Sequence, residues 1–574
     1  MLSEELTRLV LSSRLVKCGF AVAMLIALFG ELRTVLNRGD CFDVDFVVDK
    51  PTSEITTFPG RFVVEKNSIA PGELPGYTGW ARPEKTLARY FLISSISART
   101  TTNTGVERYE YVVAVNCKGH EDCVVVENER KSSNGKNYDS DSCSSFFFLR
   151  AYGPAVVPGI MTSRSSSAES CNYEFTFLFY DPGFYTVEAV LTVSKPPSIS
   201  TFPLGKDPDQ EEPHYEGYLL MGFPLTTTVV FEDRGKSEEQ ALCKFEDLVE
   251  TSPMTAIEKA RWKITGRVNE REYWSKTMNS SLVSTFGYTI NVNSLGINME
   301  YRYVNDCLLL EESTLDTNRH DKQPAILNSR CSGPPKKVHI VYIGDSVLRV
   351  QKDMLQKFLK GIPKDQVELT FLSLHGGYRK NQVMGPANVE GFLKELETKA
   401  KSEEVVLLFN TGLHDIHRLC GDEFKKERPS YLDKDRLDSG SFACVDEYRA
   451  LFKDFVDLVK KFPAALKVFQ TTTAAWPKYG NYGIGWGQGG QGMVLVSDFC
   501  QAFNEIAFEV LLEGNHKKDS NIDIMDGYWI TYSRPDNREV GDIGNKLSHP
   551  GVEVLSAMTR KWVMLILDRV CLPI

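Results

Sequence analysis

A chain of 574 residues is longer than one hydrophobic core normally fills, so two or three domains are expected. Its 42% hydrophobic and 25% charged residues are those of a globular protein. A formal net charge of -10 and the lack of any long Lys/Arg block argue against nucleic acid as a partner.

At the amino terminus, Arg8, Arg14 and Lys17 precede a short apolar run, Cys18 to Phe29. The run is near the length of a signal-peptide core and short for a membrane span, even with Leu15 and Val16 added. Glu31-Leu32-Arg33 supplies no good small-residue cleavage site. Residues 1–30 therefore read as an uncleaved signal anchor with the cytoplasm inside, a cleaved signal peptide being the alternative. Residues 31–60, with Asp, Pro and Thr and no clear periodicity, read as a stem.

Residues 61–195 read as β. Tyr109 to Val115 and Tyr173 to Phe179 partly alternate, and Gly, Pro, Asn and Ser clusters separate the runs. Asp181-Pro182-Gly183-Phe184-Tyr185-Thr186-Val187 resembles the corner of an immunoglobulin-like β-sandwich, where a tyrosine hydroxyl ties the turn to nearby backbone. Residues 196–335 read as a linker and lead-in. The stretch Pro196 to Gly217 is Pro- and charge-rich. Ser237 to Glu250 and Met254 to Trp262 read as helical, and Leu282 to Val304 as β-like.

From residue 336 to 574 the pattern alternates. Strand-like runs are Val338 to Ile343, Val367 to Leu374, Val405 to Asn410, Leu466 to Thr471 and Ile522 to Met525. Helix-like segments are Val347 to Leu359, Val389 to Lys401, Asp446 to Lys461, Ser497 to Glu513 and Val552 to Arg569. This alternation predicts an α/β domain, a five-stranded, doubly wound parallel sheet with helices on both faces.

Apart from Cys18, twelve cysteines are scattered rather than set in CxxC pairs, which disfavours zinc knuckles and favours disulfides in an oxidising lumen. Near neighbours such as Cys307 with Cys331, or Cys420 with Cys444, suggest pairings. One N-glycosylation triplet, Asn279-Ser280-Ser281, agrees with a lumenal location.

In a parallel α/β sheet the site lies beyond the carboxyl ends of the strands. There the chain has Gly344-Asp345-Ser346, His375-Gly376-Gly377-Tyr378, Asn410-Thr411-Gly412-Leu413-His414-Asp415, Thr471-Thr472-Thr473 and Asp526, with His549-Pro550 before the last helix. The set suits acyl transfer. A serine hydroxyl needs a base, which histidine supplies near neutral pH. A tetrahedral intermediate needs donors at its oxyanion, for which the Ser346 N–H, a glycine N–H at Gly376 or Gly377, and the Asn410 amide are candidates. The bland reading of Ser346 is the N-cap of the helix that follows. Trp476, Tyr479 and Trp486 belong to a glycine-rich loop and are candidates for stacking on sugar rings. His414, Asp415 and His417 lie close together, but one short loop without further matched ligands gives no metal site, and no bound cofactor is expected.

These motifs resemble those of the SGNH (GDSL-like) hydrolase superfamily, and within it the PC-esterase group. That group includes plant polysaccharide O-acetyltransferases and the animal neurexophilin-and-PC-esterase-domain (NXPE) proteins. The signature lies in Gly344-Asp345-Ser346, Asn410-Thr411-Gly412 with His414, the Asp526 segment to Trp529 and Thr531, and His549-Pro550. The order of an anchor, an immunoglobulin-like domain and this terminal domain is also similar to the animal proteins. The resemblance implies Ser346 as nucleophile, His549 as base, and Asn410 with a Gly376/Gly377 N–H as oxyanion hole. The triad aspartate, three residues before the histidine in many members, is Lys546 here. Asp542 and Asp526 are the alternatives, and a dyad without a carboxylate is a third. The implied function is a serine-dependent O-acyl, above all O-acetyl, transferase or esterase on carbohydrate hydroxyls. Acetyl-coenzyme A or another acyl donor would be the co-substrate, a glycan or glycoprotein the acceptor, and the Golgi membrane the location. The rival reading is an inactive secreted or surface binding protein that keeps the esterase fold as a scaffold.

Overall fold

The computed structural model describes residues 87–103, 106–119, 123, 143, 145–167, 170–194, 214–231, 242–267, 299–305, 307, 309, 336–359, 362–363, 365–374, 386–420, 444–474, 497–512, 521–534 and 549–570. The proposed anchor and stem, Asn279 and the Trp476–Trp486 loop lie outside the described residues. No helix among the described residues is long and apolar enough to cross a membrane.

Ten strands form a curled antiparallel sheet: β1 (Phe91–Asn103), β2 (Val106–Lys118), β3 (Phe146–Tyr152), β4 (Ala155–Ser167), β5 (Ser170–Phe179), β6 (Gly183–Ser194), β7 (His214–Leu219), β8 (Leu225–Val229), β9 (Ala260–Arg267) and β10 (Met299–Asn305). The main path runs β1-β2-β5-β4-β3-β6-β7. β4 makes the bend. Its first residues pair with β3, as Val156↔Tyr152, and the remainder with β5, as Gly159↔Phe177. Gly159 sits at the changeover because a Cβ there would collide with the Phe177 ring and Leu149. At the corner expected from sequence, Tyr185 Oη donates to the Asp181 carbonyl at 3.1 Å. Asp181 also holds Arg261 of β9 at 2.6 Å, so one short turn ties three parts of the sheet together.

The stretch read as linker and lead-in contributes β7 to β10 to this same sheet. His214 pairs with Ser194 although it lies in the Pro- and charge-rich segment. The helical reading of Met254 to Trp262 is corrected. Helix α2 (Pro253–Lys259), which follows the single turn α1 (Phe245–Leu248), stops at Ala260, and Arg261 and Trp262 belong to β9. The partner strand β10 draws them out of the helix, with Trp262 opposite Tyr303. Among the described residues, three disulfides lie in this half: Cys117–Cys123, Cys143–Cys171 and Cys243–Cys307. The expected Cys307–Cys331 pairing is therefore wrong.

The five runs after residue 336 form a separate parallel sheet: β11 (Val338–Gly344), β12 (Val367–Ser373), β13 (Glu404–Phe409), β14 (Leu466–Gln470) and β15 (Asp523–Met525), in the order β12-β11-β13-β14-β15. β11 is buried along its whole length, as its unbroken apolar run requires. Between the strands lie α3 (Ser346–Phe358), α4 (Pro386–Ala400), α5 (Leu413–Cys420), α6 (Cys444–Lys461) and α7 (Ser497–Leu512). A single turn, α8 (Trp529–Tyr532), and α9 (Val552–Arg569) follow β15. The chain steps from β11 out to β12, then back across β11 to β13. Right-handed crossovers put the helices before and after that reversal on opposite faces. In keeping with this, α3 packs against α9, whereas α6 packs against α4, α5 and α7.

The two sheets meet through α8. Trp262 Nε1 donates to the Ile530 carbonyl at 2.9 Å, and the Leu149 N–H donates to Tyr532 Oη at 3.0 Å. The Arg534 guanidinium lies 4.6 Å over the Trp262 ring, and the Phe148 and Tyr532 rings are 5.2 Å apart. The Trp262, Phe148 and Tyr532 rings are buried, each worth about 1.5–3 kcal/mol of apolar transfer.

Candidate active site

The reversal of strand order falls between β11 and β13, where two diverging connections leave a crevice beyond the strand ends. Gly344 ends β11. A Cβ there would run into Asn410 Oδ1 and lie 2.8 Å from Leu348 Cδ1, so only glycine lets the two strand ends close up. Asp345 follows in an extended conformation, and its Oδ1 accepts the N–H groups of Val347 at 2.9 Å and Leu348 at 3.4 Å. The N-cap of α3 is therefore Asp345. Ser346 is the first helical residue, and its hydroxyl is not the cap.

That hydroxyl is directed elsewhere. Ser346 Oγ lies 2.6 Å from Nε2 of His549, 203 residues further along the chain. Both residues are half-buried. His549 is held at the start of α9, whose first turn is closed by the Leu555 N–H donating to Gly551 O at 2.9 Å. With the lone pair on Nε2, the imidazole accepts the serine proton, the geometry of a hydroxyl beside its general base.

Asn410 caps the end of β13 at the same crevice. Its N–H donates to Ile343 O at 3.0 Å, and its side-chain Oδ1 accepts the Asp345 N–H at 3.0 Å. This fixes the amide with Nδ2 turned away, buried and without a hydrogen-bond partner among the described residues. Asp345 Oδ2 is likewise buried and without one. An amide donor held by its oxygen, with its nitrogen uncommitted, has the form an oxyanion donor needs. Further along, Gly412 has φ +136°, which favours glycine, and Asp415 accepts the Thr411 hydroxyl and the Gly412 N–H. Asp415 thus closes the start of α5, a helix that sequence reasoning took as loop.

Asp526 ends β15 on the same rim, but its oxygens go to backbone. Oδ1 accepts the N–H groups of Tyr528 at 3.0 Å and Trp529 at 2.9 Å, and Oδ2 that of Ile530 at 2.8 Å. Asp526 therefore holds the start of α8, and the structure does not bring it to His549. Burial pushes its pKa up to about 6, opposed by the Lys561 ammonium and reinforced by Glu250. Lys561 and Glu250 are themselves a buried ion pair at 2.8 Å, which sequence reasoning missed. The basic pair Arg560-Lys561, set within the otherwise apolar course of α9, was the available signal. Gly376, Gly377, Asp542, Trp476, Tyr479 and Trp486 lie outside the described residues.

No family model matches this chain, and no curated protein matches it. A solved structure described as a gut microbial diltiazem-metabolizing enzyme is similar over 41% of this chain and 48% of its own, so the chain spans about half of that protein. The identity is 11% and the TM-score 0.25, and a likeness this weak carries no argument.

Proposed function

We propose that this chain is a serine-dependent O-acyl transferase or esterase acting on carbohydrate hydroxyls. One observation carries the reading: Ser346 Oγ and His549 Nε2 stand 2.6 Å apart at the carboxyl rim of the parallel sheet, beside its reversal of strand order. Ser346 attacks the acyl carbon of a donor while His549 takes the hydroxyl proton. The carbonyl oxygen becomes an oxyanion, stabilised by the Asn410 Nδ2 donor and the Ser346 N–H. Collapse expels the donor's leaving group, which takes the proton back from His549, and a serine ester remains. A sugar hydroxyl or water then gives its proton to His549 and attacks the ester, and collapse expels Ser346 Oγ, which takes that proton back and leaves the acylated sugar or the free acid. Exclusion of water and positioning of the acceptor decide between transfer and hydrolysis.

The SGNH and PC-esterase assignment belongs to this proposal, and the motifs at the strand ends support it. The immunoglobulin-like assignment of the curled sheet is supported by the Tyr185–Asp181 tie. Acetyl as the acyl group and acetyl-coenzyme A as a donor rest on the resemblance alone. The secretory-pathway location, with an anchor in the Golgi membrane, is supported by the basic and apolar N-terminal pattern and by the three disulfides. With Asp526 committed to backbone, Asp542 or no carboxylate at all is left to orient His549.

The test is labelling of the folded chain with a fluorophosphonate probe, followed by incubation with acetyl-coenzyme A and glycan acceptors and mass analysis of the products. Labelling that disappears in Ser346→Ala and His549→Ala supports the reading. Folded protein that takes up no label, with no acyl transfer or ester hydrolysis, refutes it and favours the scaffold.

A further inference from the structure

Strands β14 and β15 begin at Leu466 and Asp523, on the rim of the sheet opposite Ser346, and a cavity of about 310 Å3 opens there. Small-molecule sites typically run from roughly 300 to 1,000 Å3, so this one suits a small ligand. Three elements enclose it. The segment after α1 runs along the outer edge of β15, with the Glu250 N–H donating to Ile524 O at 2.8 Å. Helix α7 ends there with Leu511 and Leu512, and α9 ends there with Arg569. Leu466 and Ile522 join the two leucines in an apolar wall.

Four charged side chains line the cavity, and two of them are spent. Lys467 donates to the Val459 and Lys460 carbonyls at the end of α6. Glu250 takes the Lys561 ammonium on one oxygen and the Thr255 hydroxyl on the other. Asp523 and Arg569 remain. Neither makes a side-chain hydrogen bond or an ion pair among the described residues. The Arg569 guanidinium lies 4.0 Å over the Phe245 ring, which holds it in place without consuming its N–H donors. Asp523 is half-buried, and burial pushes its carboxyl pKa up while the nearby Arg569 charge pulls it down. The two charges therefore feel each other across the cavity without touching. A half-buried carboxylate without a partner gives up hydration for no return.

We propose that this cavity binds a free α-amino acid with an apolar side chain. Its carboxylate takes the N–H edge of Arg569, its ammonium meets Asp523, and its side chain lies on Leu466, Leu511, Leu512 and Ile522. The zwitterion bridges two charges that stand further apart than an ion pair allows. Selection works at both ends. A simple carboxylate leaves Asp523 facing an anion, and a simple amine leaves Arg569 facing a cation. The site lies on the rim away from Ser346 and does not depend on the proposed acyl chemistry.

The test is saturation-transfer NMR and calorimetric titration of the full chain with L-leucine. Two analogues, 3-methylbutylamine and 4-methylpentanoate, each lack one of its charges. The wild type should bind leucine at a single site and each analogue at least about tenfold more weakly. Arg569→Gln should weaken leucine at least about tenfold and leave 3-methylbutylamine no weaker. Asp523→Asn should weaken leucine by a similar factor and leave 4-methylpentanoate no weaker. Absence of saturable leucine binding at millimolar concentration overturns the proposal, and so does leucine binding that neither variant changes. Should Asp523→Asn fail to fold, the exposed Arg569→Gln and the two analogues on the wild type decide: equal affinity for leucine and 4-methylpentanoate overturns the ammonium contact.

Discussion

Alanine at position 344 tests why the turn before Ser346 has to be glycine. Gly344 is not among the residues with positive φ, so backbone strain does not enter. The obstacle is space: a Cβ there meets Asn410 Oδ1 and Leu348 Cδ1. The leucine methyl can rotate aside. Asn410 cannot give way without dropping the Asp345 N–H that it accepts at 3.0 Å. Overpacking costs about 1–3 kcal/mol, and stranding a buried N–H costs about 1–3 kcal/mol more. Gly344→Ala should therefore destabilise by roughly 2–6 kcal/mol. Asn410→Ala strands the same N–H without the clash, at roughly 1–3 kcal/mol. In the double variant the N–H is lost only once and the new methyl group has room. Its total should stay close to that of Asn410→Ala alone, leaving a coupling about equal to the cost of Gly344→Ala, roughly 2–6 kcal/mol. Urea unfolding followed by the fluorescence of the buried Trp262 and Trp562 reads all three variants. If the two single costs add to within about 0.5 kcal/mol, Asn410 is not the reason for the glycine and the packing argument fails.

Three further outcomes are expected. Asp345→Ala removes the cap of α3 and should cost about 1–2 kcal/mol in the same unfolding assay, whereas Asp345→Asn, which keeps an acceptor oxygen, should cost less than half as much. Lys561→Met leaves Glu250 as an uncompensated buried charge and should cost about 3–5 kcal/mol, most of it recovered when Glu250→Gln is added. The third concerns pH. Burial pushes the Asp498 carboxyl from its ordinary 3.8 up to about 7. The folded chain therefore holds this proton more tightly than the unfolded chain, so its contribution to stability is complete below pH 3.8 and is lost as pH rises through about 7. Melting temperatures of wild type relative to Asp498→Asn should fall between pH 4 and 8, and a flat difference would contradict the assignment.

The α/β half was legible because each of its elements is local. Five short apolar runs and five amphipathic segments need only periodicity to be seen, and their observed bounds lie within a few residues of the expected ones. What escaped depends on partners far along the chain. Ala260 to Trp262 continue an apparent helix until β10, some forty residues later, pairs with them as part of β9. His214–Leu219 sits in a charge-rich segment and becomes a strand only because β6 offers an edge. Cys307 is nearer in sequence to Cys331 than to Cys243, yet Cys243 is its partner, because the folded chain and not the sequence sets the distance between them. The helix α5 was hidden for a different reason. Its opening residues, Thr411, Gly412 and Asp415, had already been read as site chemistry when they are also a helix start.

The rule that polar residues at strand ends belong to chemistry is thus incomplete, and this rim shows what completes it. Strand ends and helix starts expose backbone N–H groups that must be satisfied first. Asp345 Oδ1 is consumed by two of them and both Asp526 oxygens by three, so of these two carboxylates only Asp345 Oδ2 is left, buried and without a partner among the described residues. For Asp526 to reach His549 it would have to release α8, and with it the Tyr532 and Ile530 contacts that join the two sheets. Ser346 escapes that demand because its neighbour does the capping, and Asn410 meets it with its oxygen alone. The groups left over are a hydroxyl against an imidazole, an uncommitted amide donor and the buried Asp345 Oδ2. A strand-end residue is available for chemistry only to the extent that the backbone around it has been satisfied by something else.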